Sequence, residues 1–297
     1  MTKTAFVTIA GRTNAGKSSL LNSIIGEKIA SVSDKPQTTR TRITGIKTIG
    51  ETQLVFFDTP GLHKPKNKLS EHMLNTVKES VCGIDGVIFV MDCTRKITPQ
   101  ETELLKSFNE SSMPVVLVLN KIDLLADKSE LAPIIASLTS EINFCSVIPV
   151  SVTENSGIDI VENEIMKLAS ESPHHFPDDK FTDQPEKVLA SEMIREKLLI
   201  LLKDEVPHGI AVGIEVMEER QDKDILDISA VIYCERESHK GIIIGKGGSM
   251  LKKASSMARA ELENFFRIQV NLKCWVKVKE DWRNREGLIK NFGLSDK

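Results

Sequence analysis

The chain has 297 residues, of which 40% are hydrophobic and 27% charged, and its net charge is −3. That length allows two domains with a core each, and the balance is that of a soluble globular protein, not a fibrous, disordered or disulfide-stapled one. No apolar run approaches membrane-spanning length, the first residues do not read as a signal peptide, and the five cysteines (Cys82, Cys93, Cys145, Cys234, Cys274) contain no C-x-x-C pair, so they are expected as small buried hydrophobes in a reducing cytosol.

The charge is unevenly spread. From His239 to Lys297 there are 13 Lys and Arg against 6 Asp and Glu, a balance of +7 that leaves −10 on the rest. A basic end on an acidic body suggests a polyanion partner there, nucleic acid before an anionic membrane surface, with a solvated charged face as the plain alternative.

Taken in order, Ala5 to Ala10 reads as a buried strand. Gly11, Arg12, Thr13, Asn14, Ala15, Gly16, Lys17 and Ser18 then fit G-x-x-x-x-G-K-[ST], and Ser19 to Ile25 reads as a helix. The two glycines let backbone amides close around a phosphate chain, Lys17 supplies a point charge for the β and γ phosphates, and the Ser18 hydroxyl suits Mg²⁺. Residues 30–41 are polar, with no apolar period, and read as a loop. Strands at 43–49 and 53–57 follow, turning at Gly50-Glu51. The second delivers Asp58, Thr59, Pro60 and Gly61: a carboxylate placed to reach Mg²⁺ directly or through water, and a glycine amide for the γ phosphate.

A loop at 62–68 and an amphipathic helix from Leu69 to Val81 come next. Gly86 to Asp92 and Val115 to Leu119 are near-continuous apolar runs, expected as strands buried on both faces, with a helix at 99–109 between them. Alternating strands and helices imply a mostly parallel sheet with ligands at the strand carboxyl ends. Asn120, Lys121, Ile122 and Asp123 decide the base. Guanine presents N1–H and a 2-amino group side by side, one carboxylate accepts from both, and adenine has no such pair. Asn120 suits tying loops together and meeting the N7/O6 edge, and the Lys121 stem can lie on the ring. After a strand at 146–150, the Ser151 hydroxyl and free amides around it and Val152 are candidates for guanine O6. A helix at 157–169 closes a domain of residues 1–172. Residues 173–184 are polar and Pro-rich and read as a linker, with His174-His175 solvated rather than metal-binding.

From 185 to 297 the rhythm changes to helix, two strands, helix, a Gly-Lys-Gly-Gly loop, helix and strand. Gly245, Lys246, Gly247 and Gly248 sit between two helices beside a three-stranded sheet, the pattern of a KH module. Glycines there admit a sugar-phosphate backbone, Lys246, Lys252 and Lys253 add charge, and Ile242 and Ile244 can floor a groove for splayed bases. A Gly-rich turn in a protein-interaction domain is the plain alternative.

At this point the chain resembles the Era family of bacterial ribosome-assembly GTPases, over nearly its whole length, on GRTNAGKS, PQTTR, DTPGLH, NKID, IIGKGG and VKVKEDWRN in order. The resemblance implies an α/β fold, a P-loop GTPase domain with a mostly parallel sheet flanked by helices, followed by a smaller α+β type II KH domain. It implies GTP or GDP on residues 11–18, with Ser18 and Thr39 on Mg²⁺ and Asp58 behind them, and guanine on Asn120, Lys121, Asp123, Ser151 and Val152. The loops around 30–42 and 61–68 become two switches, and the KH domain is expected to bind near the 3′ end of 16S rRNA on the 30S subunit. A monomer in the cytoplasm is implied, with peripheral inner-membrane association in some members. Thr13, Ala15 and Val152 depart from the family pattern, and only Val152 bears on a base contact.

Leu62 stands where many GTPases carry a water-orienting Gln. The resemblance to GTPases with a hydrophobic residue there implies catalysis from Lys17, Thr39 and Gly61, with Asn14 as a candidate K⁺ ligand beside the phosphates, and slow turnover suits a timer. A GTP-controlled RNA-binding switch is the leading reading. The alternative is a constitutive RNA-binding scaffold with a structural guanine nucleotide. An ATP-driven enzyme is opposed by Asp123.

Overall fold

The computed structural model describes residues 1–35, 38–60, 68–69, 83–292 and 294. Apart from Lys68 and Leu69, the loop expected at 61–68, with Gly61 and Leu62, and the helix expected from Leu69 to Val81 lie outside the described residues. The chain divides into two compact units. The first holds Met1–Ala30, Thr39–Lys64 and Met73–Asp183, and the second Ser31–Thr38, Pro65–His72 and Gln184–Lys297.

In the first unit the strands β1 (Lys3–Ala10), β2 (Ile43–Ile49), β3 (Thr52–Asp58), β4 (Gly86–Asp92), β5 (Val115–Asn120) and β6 (Ser146–Val150) form a sheet in the order β2-β3-β1-β4-β5-β6. All neighbours are parallel except β2, which turns antiparallel onto β3 through Gly50 at φ 58°. Every residue of β4 and β5 is buried, which is why those segments are apolar throughout and do not alternate. Pro149 sits in β6, at the sheet edge, where a missing N–H is tolerated.

Helices α2 (Pro99–Glu110) and α3 (Leu131–Thr139) pack Leu105, Phe108, Leu131 and Leu138 onto Val87, Phe89, Leu117 and Leu119. The alternate residues Ile88, Val90, Val116 and Val118 point to the other face, where α1 (Lys17–Ile25) and α4 (Ile158–Met166) meet each other and the strands. Helix α2 starts at a capping box in which Thr98 and Glu101 satisfy each other's backbone amides, worth about 1 kcal/mol.

The stretch 173–184 differs from the expected solvated linker: through Asp183 it is bound to the first unit. A short strand β7 (Ser170–Glu171) runs antiparallel to the start of β1, and Gln53 then holds the Phe176 carbonyl at 2.9 Å and accepts the His175 and Phe176 amides at 2.8 and 3.0 Å. The Ile46 amide bonds the Phe181 carbonyl, and Thr182 Oγ1 bonds the Thr44 carbonyl at 2.7 Å. His175 lies edge-on against Phe6, and His174 bridges Asp178 and the Glu51 carbonyl. A polar, Pro-rich composition gave no sign that these partners waited on β2 and β3. Cys145 also departs from expectation in being exposed, whereas Cys93 and Cys234 are buried.

The second unit is built on α5 (Glu186–Leu201), which packs with α6 (Glu237–Ile244) and α7 (Ser249–Phe266) on one face of a three-stranded sheet. Its strands are β8 (Ala211–Glu219), β9 (Ile225–Cys234) and β10 (Gln269–Val278), in the order β10-β9-β8, with β10 parallel and β8 antiparallel to β9. Leu226, Ile228, Ala230, Ile232 and Cys234 face the helices, as a half-covered sheet requires. On the other face the C-terminal helix α8 (Glu286–Asn291) is followed by Phe292, whose ring lies 4.6 Å from Tyr233 and 5.4 Å from Trp282. Trp282 is fully buried and donates to the Gly209 carbonyl at 2.9 Å. This is the α-β-β-α-α-β order expected of a KH module.

Helix α5 buries three consecutive charged residues, Arg195, Glu196 and Lys197, where helical spacing placed its Glu and Lys between apolar positions. Most of their polar atoms find partners, several of them distant in sequence, although one Arg195 guanidinium nitrogen is buried without one. Lys197 bonds Glu196 at 2.8 Å and also Glu261 of α7. Glu196 accepts the Val32 amide at 2.7 Å, Glu192 accepts from Ser31 Oγ, and Arg195 donates to the Thr38 carbonyl. Ser31, Val32 and Thr38 are thereby pinned along one face of α5.

Candidate functional site

The phosphate loop joins β1 to α1. Gly16 takes φ 102°, and a Cβ there would fall 2.1 Å from the Asn120 side-chain nitrogen; at Gly11, φ 137°, it would fall 2.2 Å from the Val90 carbonyl. Both positions thus require glycine for backbone shape and for clearance. Lys17 is buried with Nζ 3.0 Å from the Arg12 carbonyl, and burial pulls its pKa down against the opposing fields of Asp58 and Glu101. A buried ammonium at the start of a helix, with the loop folded over it, is a site prepared for an anion.

Three residues far apart in sequence meet beside it. Ser18 Oγ donates to Asp58 Oδ2 at 2.6 Å and lies 2.8 Å from Thr39 Oγ1, which in turn is 3.3 Å from the same carboxylate oxygen. Thr38 is turned away, its hydroxyl on the Lys35 carbonyl and Ser33 Oγ, both at 2.7 Å, so Thr39 is the one that joins the cluster. Burial pushes the Asp58 carboxyl above its ordinary value, partly offset by Lys17 and the bonds from Ser18 and Thr39. Its second oxygen, Oδ1, is buried with no hydrogen-bond partner. Two hydroxyls and a carboxylate with an unsatisfied oxygen are a hard donor set, and Mg²⁺ fits it. Asp58→Asn is expected to weaken Mg²⁺-dependent nucleotide binding by about 10- to 100-fold, read as the loss of the melting-temperature rise that Mg²⁺ gives the GDP-bound wild type. An undiminished rise would remove Asp58 from the metal site.

The residues expected to hold the base are tied to the same loop. Asn120 is buried, donates to the Ala15 carbonyl at 2.8 Å and accepts the Lys121 and Val152 amides at 2.8 and 3.3 Å. It therefore ties three segments together, as expected. Asp123 is half-buried, and its Oδ1 accepts from Ser151 Oγ at 2.7 Å. One expectation is corrected: the amides around Ser151 are not free for O6, because the Ser151 amide bonds the Ser156 carbonyl and the Val152 amide points at Asn120. Thr59 likewise spends its hydroxyl on the Ile9 carbonyl at 3.0 Å, fixing the end of β3. Arg12, Thr13, Asn14 and Pro60 lie on the same two loops, with Asn14 at φ 64°, and Gly61 is outside the described residues.

Sequence reading missed Asp92. It ends β4, and Lys121 Nζ reaches it at 2.6 Å. Although burial raises its pKa, bonds from Lys121 and Thr94 outweigh that and leave it below its ordinary value. Lys121 is thus fixed by a carboxylate from the neighbouring strand. A polar residue closing an otherwise apolar run was the available signal.

In the second unit, Gly245, Lys246, Gly247 and Gly248 link α6 to α7. Gly245 takes φ 73°, ψ 172°, with the position of a Cβ only 2.7 Å from Met250 Cβ, whereas a Cβ on Gly247 would meet open space. Lys246, Lys252 and Lys253 are exposed, Ile242 is exposed beside them, and Ile244 is half-buried. A cation on a loop of left-handed backbone, with apolar residues next to it, matches the expected nucleic-acid edge.

Two family models match, 50S ribosome-binding GTPase over residues 6–121 and KH domain over residues 205–283. The chain is 50% identical to GTPase Era of Clostridioides difficile over the full length of both. The chain belongs to the GTPase Era family. A second relative, GTPase Era of Ruminiclostridium cellulolyticum, is 47% identical over 98% of this chain and 97% of its own. Among solved structures, Era in complex with MgGDPNP and nucleotides 1506–1542 of 16S ribosomal RNA superimposes at a TM-score of 0.95, with 36% identity over all of both chains. A single-residue variant of Aquifex aeolicus Era bound to GDP·AlF4⁻ superimposes at 0.94, with 35% identity over 99% of this chain and all of that one. The Era fold, a P-loop GTPase followed by a KH domain, is therefore the fold of this chain, and no described helix is long and apolar enough to cross a membrane.

Proposed function

We propose that this chain is a GTP-controlled RNA-binding switch of small-subunit ribosome assembly. In this reading it hydrolyses GTP to GDP on residues 11–18, with guanine held by Asp123 and Asn120, and binds 16S rRNA near its 3′ end through the GKGG loop during 30S assembly and rRNA maturation. The Era relative that held MgGDPNP and nucleotides 1506–1542 supports both ligands. Ser18, Thr39 and Asp58 are the residues for Mg²⁺, which when bound supplies positive charge to the β and γ phosphates. Lys17 holds those phosphates, and Thr39 and Gly61 serve the γ end. A cytoplasmic monomer, associating peripherally with the inner membrane at most, completes the reading.

The observation that carries the switch over a constitutive scaffold is the run Ser31–Thr39. Its last residue sits in the Ser18–Asp58 cluster, while Ser31, Val32 and Thr38 before it are bonded to Glu192, Glu196 and Arg195 of the second unit. Pulling Thr39 toward a metal, or releasing it, loads a segment tied to α5, the central helix of the RNA-binding unit. Crosslinking the protein to cellular RNA and sequencing the sites tests the target. Reads concentrated at the 3′ end of 16S rRNA are expected, and their scatter over unrelated RNA would defeat the assignment.

Leu62 offers no hydrogen bond to a water, so charge beside the phosphates has to come from elsewhere. We assign Asn14 as a K⁺ ligand in that role. Hydrolysis is expected to run about tenfold or more faster in K⁺ than in Na⁺, and Asn14→Ala is expected to abolish the difference. Equal rates in both salts would remove K⁺ from the account.

A further inference from the structure

We propose that the sheet face turned away from the helices carries a second RNA contact, a stacking platform for an unpaired base centred on Trp275. This rests on the RNA-binding reading above and places a contact where the GKGG loop cannot reach, since that loop joins α6 and α7 in the helical layer on the opposite face.

Trp275 is 47% exposed, in a chain whose other tryptophan, Trp282, is completely buried. It lies on β10, an edge strand, and Lys273 and Lys277 two residues to either side are exposed on the same face. Lys279 continues the alternation just beyond the strand. The register sets Trp275 opposite Val231 of β9, and Val231 opposite Gly213 of β8, so no tall side chain stands across the sheet from the indole. Val216, 38% exposed, extends the apolar floor diagonally.

The chain covers the rest of this face itself. Phe292 lies on Tyr233, the partner of Lys277 in register, and Trp282 closes that end. Among the described residues, Val231 beside Trp275 is fully buried, while Trp275 itself stays 47% exposed. Lys277 is paired with Glu215 at 3.1 Å, but both are about half exposed, and such a surface pair is readily exchanged for a phosphate.

A half-exposed aromatic ring on an edge strand, with lysines alternating along the same face of that strand, is the chemistry of single-stranded RNA recognition: bases stack on the ring while the cations follow the backbone. The charge decides between occupants. An apolar protein partner would have to desolvate Lys273 and Lys277, whereas a polyanion is drawn by them. The occupant proposed is an unpaired stretch of the same RNA that the GKGG loop holds.

The test uses the full-length protein and an RNA of nucleotides 1506–1542 of 16S ribosomal RNA. Because Trp282 is buried, acrylamide-accessible emission reports Trp275. RNA is expected to quench that emission and shield it from acrylamide. Trp275→Ala is expected to weaken binding about 5- to 100-fold while Trp275→Phe keeps most of it. Lys273→Ala with Lys277→Ala is expected to shallow the salt dependence by about 1 to 2 in log–log slope. Circular dichroism and melting curves check that each variant is folded. If wild type binds RNA, a GKGG-loop variant loses it, and Trp275→Ala binds as wild type with its emission untouched, the platform is wrong and the RNA reading stands. If wild type does not bind the RNA at all, both fall.

Discussion

Asp123→Asn is expected to lower GTP affinity by about 10²- to 10⁴-fold and to admit xanthosine triphosphate in its place. The carboxylate is the only group of the N-K-x-D segment that can accept from both N1–H and the 2-amino group. Each charge-assisted bond is worth about 1.5–3 kcal/mol, and about 1.4 kcal/mol is tenfold. Asparagine keeps one acceptor but turns a donor toward the 2-amino group. Xanthine has an oxygen there, so the mismatch becomes a match. The fold should tolerate the change, since Asp123 is half-buried and its structural bond, from Ser151 Oγ, can pass to the Asn carbonyl. Competition between the two triphosphates, followed by displacement of a fluorescent nucleotide, reads the result. Undiminished preference for GTP would show that guanine is chosen elsewhere.

The RNA end has an equally sharp variant. Gly247→Asp is expected to cost on the order of 100-fold in affinity for the 16S segment while leaving GTP hydrolysis without RNA unchanged. At φ 59° Gly247 lies in the left-handed region, which Asp visits more readily than most residues, and its Cβ meets nothing within 4 Å. The carboxylate therefore replaces no packing. It lands beside Lys246, where a phosphate would sit, and cancels a contact that is largely electrostatic. Gly245 would be a poor choice for the same test, because a Cβ 2.7 Å from Met250 would disturb the loop itself. Filter binding at two salt concentrations separates the effects, and unaltered binding at both would take the GKGG loop out of the RNA site.

Most of the nucleotide site was legible because its parts are local. The loop 11–18, the end of β3 and the end of β5 each carry their chemistry in a few consecutive residues after a strand, and parallel topology brings strand ends together. Legibility failed where a partner came from a distance. Nothing in residues 173–183 showed that Gln53 and Thr44 would bind them down. Nothing in α5 showed that Arg195 and Glu196 would be buried on a loop more than 150 residues earlier. Residue chemistry alone could not choose Thr39 over Thr38, since adjacent threonines are equivalent and differ only in direction; the family resemblance made the choice, and the coordinates put the Thr39 hydroxyl beside Ser18 and the Thr38 hydroxyl on the Lys35 carbonyl. The Ser151 loop misled for a related reason: a turn rich in small polar residues offers amides on paper, and the fold had already used two of them.

The central claim is that nucleotide state governs the hold on RNA. Affinity for RNA of nucleotides 1506–1542, measured on the full-length protein with a non-hydrolysable GTP analogue and again with GDP at the same Mg²⁺, tests it most directly. A coupling carried by the segment 31–39 predicts a difference of about 5- to 150-fold between the two states, lost when Arg195→Ala removes its bond to the Thr38 carbonyl. Equal affinities in the two states would contradict the switch and leave a scaffold that carries its nucleotide as structure.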